Sequence, residues 1–310
     1  MLARQIIELF DILDSSTASG QNVVDYLDCI RAGAALTYPL VGPKGKTDMV
    51  KVSIPGANGK ISGGAAPTIG LLGRLGGLGA RPERTGFVSD GDGALVALAV
   101  AAKLLEMQNK GDVLEGDVFV STHICPDAPT KPHFPVPFMD SPVDTALVNR
   151  EEVSPELDAI LSVDTTKGNR IINHRGFAIS PTVKEGYILR VSDDLLDIMS
   201  VTTGELPKVF ALTTQDITPY GNGLYHINSI LQPCTATNAP VVGVAITTAT
   251  AVPGCATGAS HLADMEEAAR FMLEVAKAFG RDECKFYDQD EFVRMQNLYG
   301  KLNHLQTMGK

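Results

Sequence analysis

Apolar residues recur at helical spacing over residues 2–14, with Ile6, Ile7, Leu9, Phe10 and Leu13 on one predicted face. The polar run SSTASG breaks that pattern, and QNVVDYLDCIRAGA predicts a second helix ended by Gly33. From 37 to 89 the chain reads as short β-like pieces (MVKVSI, TIGLLG, RTGFVS) cut by Gly and Pro. Residues 92–109 predict a long helix, apolar nearly all round at its start and therefore buried. GDVLEGDVFVSTHI reads as a turn and a strand. CPDAPTKPHFPVPFMDSPVD comes next, with six prolines in twenty residues, which predicts an ordered irregular loop of functional length.

DAILSVDTTKGN predicts a buried strand ending in Asp164, and APVVGVAITTAT one covered on both faces. GFAISPTVKEGYIL and KVFALTT add β pieces around a helix in DDLLDIMSVTTG, and HLADMEEAARFMLEVAKAFGR is the last core helix. This alternation predicts an α/β protein, a three-layer α/β/α sandwich with a mostly parallel central sheet. No linker or repeat divides it. The expectation is one domain over 1–310, with a core of about 6–280 and an amphipathic tail over 285–310 carrying Phe286, Phe292, Met295, Leu298 and Leu302. The tail is free to dock on that core or on a second subunit.

Composition narrows the class. Hydrophobic residues at 44% and charged residues at 20% exclude a disordered chain. Trp is absent and aromatics reach only 6%, so aliphatic side chains must build the core. A net charge of −10 argues against nucleic acid and anionic lipid as partners. Neither a signal peptide nor a membrane span is expected. The five cysteines, Cys29, Cys125, Cys234, Cys255 and Cys284, are odd in number and contain no CxxC, which points to a reducing, cytoplasmic setting. Cys29 and Cys284 read as core residues.

In open α/β sheets ligands bind beyond the carboxyl ends of the strands, so polar residues there carry the candidate chemistry. SDGDGA puts Asp90 and Asp92 at a helix start; one acid serves as a cap, and a second is surplus and suits a metal or an amine. THICPDAP alternates His123, Cys125 and Asp127, which share a face if the strand persists, either as zinc ligands or as a thiol with its base. His133 lies in the adjoining loop. Asp164 ends an apolar strand and needs a partner, a metal or solvent. TTQDITPYGNGLYHINS offers Asp216, Tyr220, Asn222 and His226 as a substrate-binding loop. GRLGGLGARP is not a phosphate loop and reads as tight turns, with Arg74 or Arg81 as a carboxylate clamp.

The order of these features resembles the di-zinc aminopeptidases of the glutamyl and tetrahedral type, with their carboxypeptidase and acetylornithine deacetylase-like relatives. SSTASGQNVVDYL is similar to their opening turn, and GKTDMV to their H-x-D-x-V segment with Lys46 in place of the His. DGDGALVAL resembles their bridging-Asp helix and SVDTT their later ligand strand, which implies Asp90 and Asp164 as metal ligands. THICP stands where T-x-x-E-E is expected, so Cys125 and Pro126 replace the general-base Glu and a ligand Glu. Cys255 falls near the last His position, and His123 or Asp127 are the available substitutes for the lost Glu. The chain as a whole, in THICPDAPTKPH, DTTKGNR and QDITPYGNGLYH, is similar to the family called domain of unknown function 1177.

The resemblance implies a hydrolase of amide or peptide bonds in small amino-acid-like substrates, with a divalent metal, zinc, held by Asp90, Asp164, Cys255 and His123. Two other readings stand beside it: a metal-free amidohydrolase using Cys125 as nucleophile, and an inactive relative that binds a small amino-acid or peptide ligand. The relatives oligomerise through a domain inserted before the bridging Asp. Asp48 and Asp90 are too close in sequence for such an insert, so a homo-oligomer of this chain must use another surface.

Overall fold

A computed structural model describes residues 1–74, 86–132, 138–212, 227–252 and 259–306. Two N-terminal helices, α1 (Ala3–Leu13) and α2 (Gly20–Ile30), lead into a hairpin of β1 (Ala35–Gly42) and β2 (Gly45–Ile54). Then come β3 (Ile69–Gly73), α3 (Asp92–Asn109) and β4 (Val118–Ile124), and a two-stranded ribbon of β5 (Thr130–Lys131) and β6 (Phe138–Met139). After them stand α4 (Thr145–Glu152), β7 (Ala159–Thr165), β8 (Gly176–Ile179), β9 (Val183–Lys184), β10 (Tyr187–Ile188) and α5 (Asp193–Thr203). The chain ends in β11 (Val241–Thr247), α6 (Leu262–Gly280) and α7 (Gln289–Tyr299).

The main sheet runs β1-β2-β4-β3-β7-β11-β9-β10, with β8 also on β11. Its centre, β4-β3-β7-β11, is parallel; the flanking strands are antiparallel. The expected parallel sheet is therefore its middle, where strands buried on both faces read as unbroken apolar runs. Pro39 sits on the edge strand β1, where a missing N–H is tolerated.

Side-chain alternation divides the core in two. One face carries Val118, Val120, Leu161, Val163, Val242 and Val244 under α1, α2, α3, α5 and α6. Ile160, Leu72, Val241 and Ala245 point the other way, under a thinner layer of α4 and a 3-10 segment, Ser229–Thr235. α3 is buried along most of its length, as its all-round apolar start predicts. In α1 the buried stripe is Ile6, Leu9 and Leu13, whereas Ile7 faces solvent. α2 ends at Ile30, before Gly33.

The C-terminal tail docks on the chain's own core. Phe292 is buried against Tyr187 and Leu189, with Met295 and Leu302 packed alongside, while Leu298 is exposed. Cys29 is exposed rather than in the core, and Cys125, Cys234 and Cys284 are buried free thiols. Among the described residues no helix is long and apolar enough to cross a membrane.

Candidate functional site

The sheet register builds a polar row at the carboxyl ends of the parallel strands. Leu72 on β3 lies between Ser121 on β4 and Ser162 on β7. Two residues further along, on the same face, come Arg74, His123 and Asp164, with Ala245 opposite Asp164. The Arg74 backbone N–H still donates to the Val163 carbonyl at 2.8 Å, which keeps this end of the strands together.

On the other side of that edge, the 3-10 turn Ser89–Gly91 feeds directly into α3. A Cβ at Gly93 would stand 2.5 Å from the Val163 carbonyl oxygen and 3.1 Å from the Asp164 Cα, so only glycine lets the helix start this close to β7. The Thr165 hydroxyl donates to the Ser89 carbonyl across the same contact. The turn that carries Asp90 and Asp92 thereby packs against the backbone at the end of β7, where the Asp164 Oδ1 accepts the Thr165 N–H at 2.7 Å. Asp90 is half-buried and Asp164 buried.

Asp92 is fully buried, and the chain supplies its partners. Its Oδ2 faces Lys167 Nζ at 3.2 Å, and its Oδ1 accepts the Ser260 hydroxyl. Lys167 Nζ also donates to the Ala259 carbonyl at 3.0 Å. Burial pushes the Asp92 carboxyl up to about 6 against the pull of Lys167 and Ser260, and the charge of Asp90 adds to the rise. Close by, His261 at the start of α6 holds the buried Asp264 through Nδ1 at 3.1 Å, and Arg175 approaches the same carboxylate at 3.9 Å.

His123 and Cys125 face inward. The His123 Nδ1 meets the Thr47 hydroxyl at 2.8 Å, and burial, assisted by the Arg74 guanidinium, holds the imidazole down at about 4, so it is neutral at pH 7. The strand ends at Ile124, and the Cys125 thiol lies 3.7 Å from the Lys46 carbonyl. Burial, then the charge of Asp127, push that thiol up to about 11. Asp127 is exposed in a turn, so the three residues do not share one strand face.

Cys255, Asp216, Tyr220, Asn222, His226, His133 and Arg81 lie outside the described residues. The carboxylate clamp expected at Arg74 exists, and its carboxylate is internal: Arg74 and Glu152 of α4 form a fully buried ion pair, with Asn149 Oδ1 accepting from the same guanidinium at 2.8 Å. Sequence reasoning passed over Lys167, Ser260 and the His261–Asp264 pair. The signal for Lys167 was its place three residues past Asp164, in the polar stretch that follows the apolar part of β7; nothing local marks Ser260.

The described donors do not by themselves complete a metal centre. Among the described residues no group of three or more His, Cys, Asp or Glu side chains is placed to hold a metal ion. Asp92 has an ammonium for its counter-ion, and His123 and Cys125 are turned toward Thr47 and Lys46.

The fold is that of aminopeptidases. The Legionella pneumophila LapA aminopeptidase superposes with a TM-score of 0.50 at 11% identity, over 92% of this chain and 72% of that one. A mutant of tomato leucine aminopeptidase gives 0.50 at 9% identity, over 88% of this chain and 61% of that one. No curated protein sequence matches the chain. The family described as Protein of unknown function (DUF1177) matches residues 40–309, and the chain belongs to that family.

Proposed function

We propose that the protein is a hydrolase of amide bonds in small amino-acid-like or short peptide substrates, working at the carboxyl ends of β3, β4, β7 and β11. The observation that carries this reading is the close approach of the Ser89–Asp92 turn to the carboxyl end of β7, which brings Asp90 and Asp92 to the strand-end edge that also carries Asp164, within an aminopeptidase fold. Asp90 is the half-buried carboxylate of this turn, and it is the side chain we assign to contact a substrate ammonium. The amides of the first turn of α3 carry partial positive charge that suits an acyl oxygen. Zinc held by Asp90, Asp164, Cys255 and His123 is the form of this reading that the di-zinc relatives suggest; the described donors do not complete such a centre, and no step is assigned to it.

A second reading, binding without cleavage, is favoured by one observation. His123, Cys125 and Asp92, the residues with acid–base or nucleophilic chemistry, are all buried and held by the chain's own groups. Cleavage by Cys125 is the least supported, because its thiol is protonated at neutral pH.

A panel of aminoacyl amides, N-acyl amino acids and dipeptides, assayed for amine release with and without added zinc or manganese, tests the first reading. Hydrolysis of at least one class, abolished in Asp90→Ala and Asp164→Ala, is expected. Absence of any turnover, together with a thermal shift from the same compounds, overturns it in favour of binding alone.

A further inference from the structure

We propose that the Lys167 ammonium is the resident cation of this site and occupies, opposite Asp92, the place that a metal ion would take in a carboxylate cluster. Lys167 lies at the carboxyl end of β7 with its side chain 4% exposed, and reaches across to the first residue of α3. Its Nζ is held by a carboxylate oxygen at 3.2 Å and a backbone carbonyl oxygen at 3.0 Å, the ligand types that a hard cation would choose. The remaining Asp92 oxygen is taken by the Ser260 hydroxyl. Three separate stretches of chain, at 92, 167 and 259–260, are joined through this one ammonium. A divalent ion on Asp92 would lie within a few ångströms of it, where like charges in a dry setting repel strongly. The lack of a three-ligand group among the described residues agrees with this.

The inference uses the strand-end site of the proposed hydrolase but not its chemistry, so failure of the turnover assay leaves its own tests intact. Protein purified without chelator is analysed for metals, alongside Asp92→Asn, Asp90→Ala and Asp164→Ala. The expectation is no metal that depends on any of the three. Stoichiometric metal in the wild type that is lost in Asp92→Asn, Asp90→Ala or Asp164→Ala overturns the proposal, and metal retained in all three lies elsewhere and supports it. Separately, Lys167→Ala removes the ammonium and leaves its volume empty. Its melting temperature is expected to fall and to recover by several degrees in methylammonium chloride, but not in sodium chloride at equal ionic strength. A folded Lys167→Ala that methylammonium does not rescue also overturns the proposal. If that variant does not fold, the metal comparison decides alone.

Discussion

Two buried ion pairs among the described residues, Lys167–Asp92 and Arg74–Glu152, lie on opposite sides of the sheet edge and are built differently. Lys167–Asp92 is complete: both carboxylate oxygens are engaged, and the ammonium has a second acceptor in the Ala259 carbonyl. Arg74–Glu152 is not. Arg74 Nε, Glu152 Oε1 and Asn149 Nδ2 are buried without a hydrogen-bond partner among the described residues, and burial raises the Glu152 carboxyl despite the adjacent guanidinium. Each such orphan costs about 1–3 kcal/mol. The difference arises from the layers they serve. The complete pair lies where five helices already bury one face of the sheet. The incomplete one fastens α4, through Asn149 and Glu152 one turn apart, to a face that is otherwise covered by a single 3-10 segment and a smaller apolar cluster.

Arg74→Met breaks the second pair by leaving Glu152 buried alone, and should give the largest effect. Losing one partner of a buried pair costs about 3–5 kcal/mol, readable as a lower urea midpoint. Replacing both residues, Arg74→Met with Glu152→Leu, should recover most of that, because well-packed apolar groups also satisfy a dry site. If the double variant is as unstable as the single one, the pair does more than fasten α4.

Asp92→Asn makes the matching break in the first pair. It should cost about 3 kcal/mol, toward the low end, since Asn retains a hydrogen-bonding side chain for Ser260 and only Lys167 loses its counter-ion. A cost larger than that of Arg74→Met would reverse the comparison.

How far these features could be read from sequence depends on range. The long helices and apolar strands were legible because periodicity is local: α3, β7, β11 and α6 emerge directly from runs such as ALVALAVAAKLL and VVGVAI. The antiparallel flanks of the sheet were not, since β1–β2–β4 pairing is set by contacts across the chain. In the site, Asp164 stands out as a polar residue at the end of an apolar strand, whereas the strand expected in RTGFVS before Asp90 and Asp92 does not form over the described residues 86–88, which lead into a 3-10 turn. Lys167 escaped because its partner lies 75 positions away, and the expected alignment of His123, Cys125 and Asp127 failed because the strand stops at Ile124. Arg74 was recognised as a clamp, but which carboxylate it holds is a tertiary fact.

A pH series separates the two sides more finely through His123, which lies beside Arg74 but not beside Lys167. Its folded value of about 4 is below the ordinary 6.5, so the folded chain holds it neutral while the unfolded chain takes up a proton. The stability it contributes is whole above pH 6.5 and is lost as the pH falls toward 4, about 2 kcal/mol of it by pH 5. His123→Gln should flatten that part of the curve between pH 6.5 and 4. A slope that survives the substitution would place the titration elsewhere.

The smallest effect belongs to an ion pair outside both regions, and it calibrates the rest. Arg190 meets Asp288 at 3.3 Å and Glu291 at 3.0 Å, distances close to those around Lys167, but its side chain is 62% exposed. Water already solvates these charges, so pairing them replaces good interactions with equally good ones and orders a long side chain at the same time. Arg190→Ala should therefore leave the urea midpoint almost unchanged, and any remaining difference should shrink in high salt. Setting it against Asp92→Asn brings out burial as the main variable, because the distances around Arg190 and Lys167 are close while the surrounding medium differs. A loss at Arg190 as large as that at Asp92 would mean that pairing, rather than exclusion of water, sets the strength of all three contacts, and the contrast between the two buried pairs would then have to be sought in their packing alone.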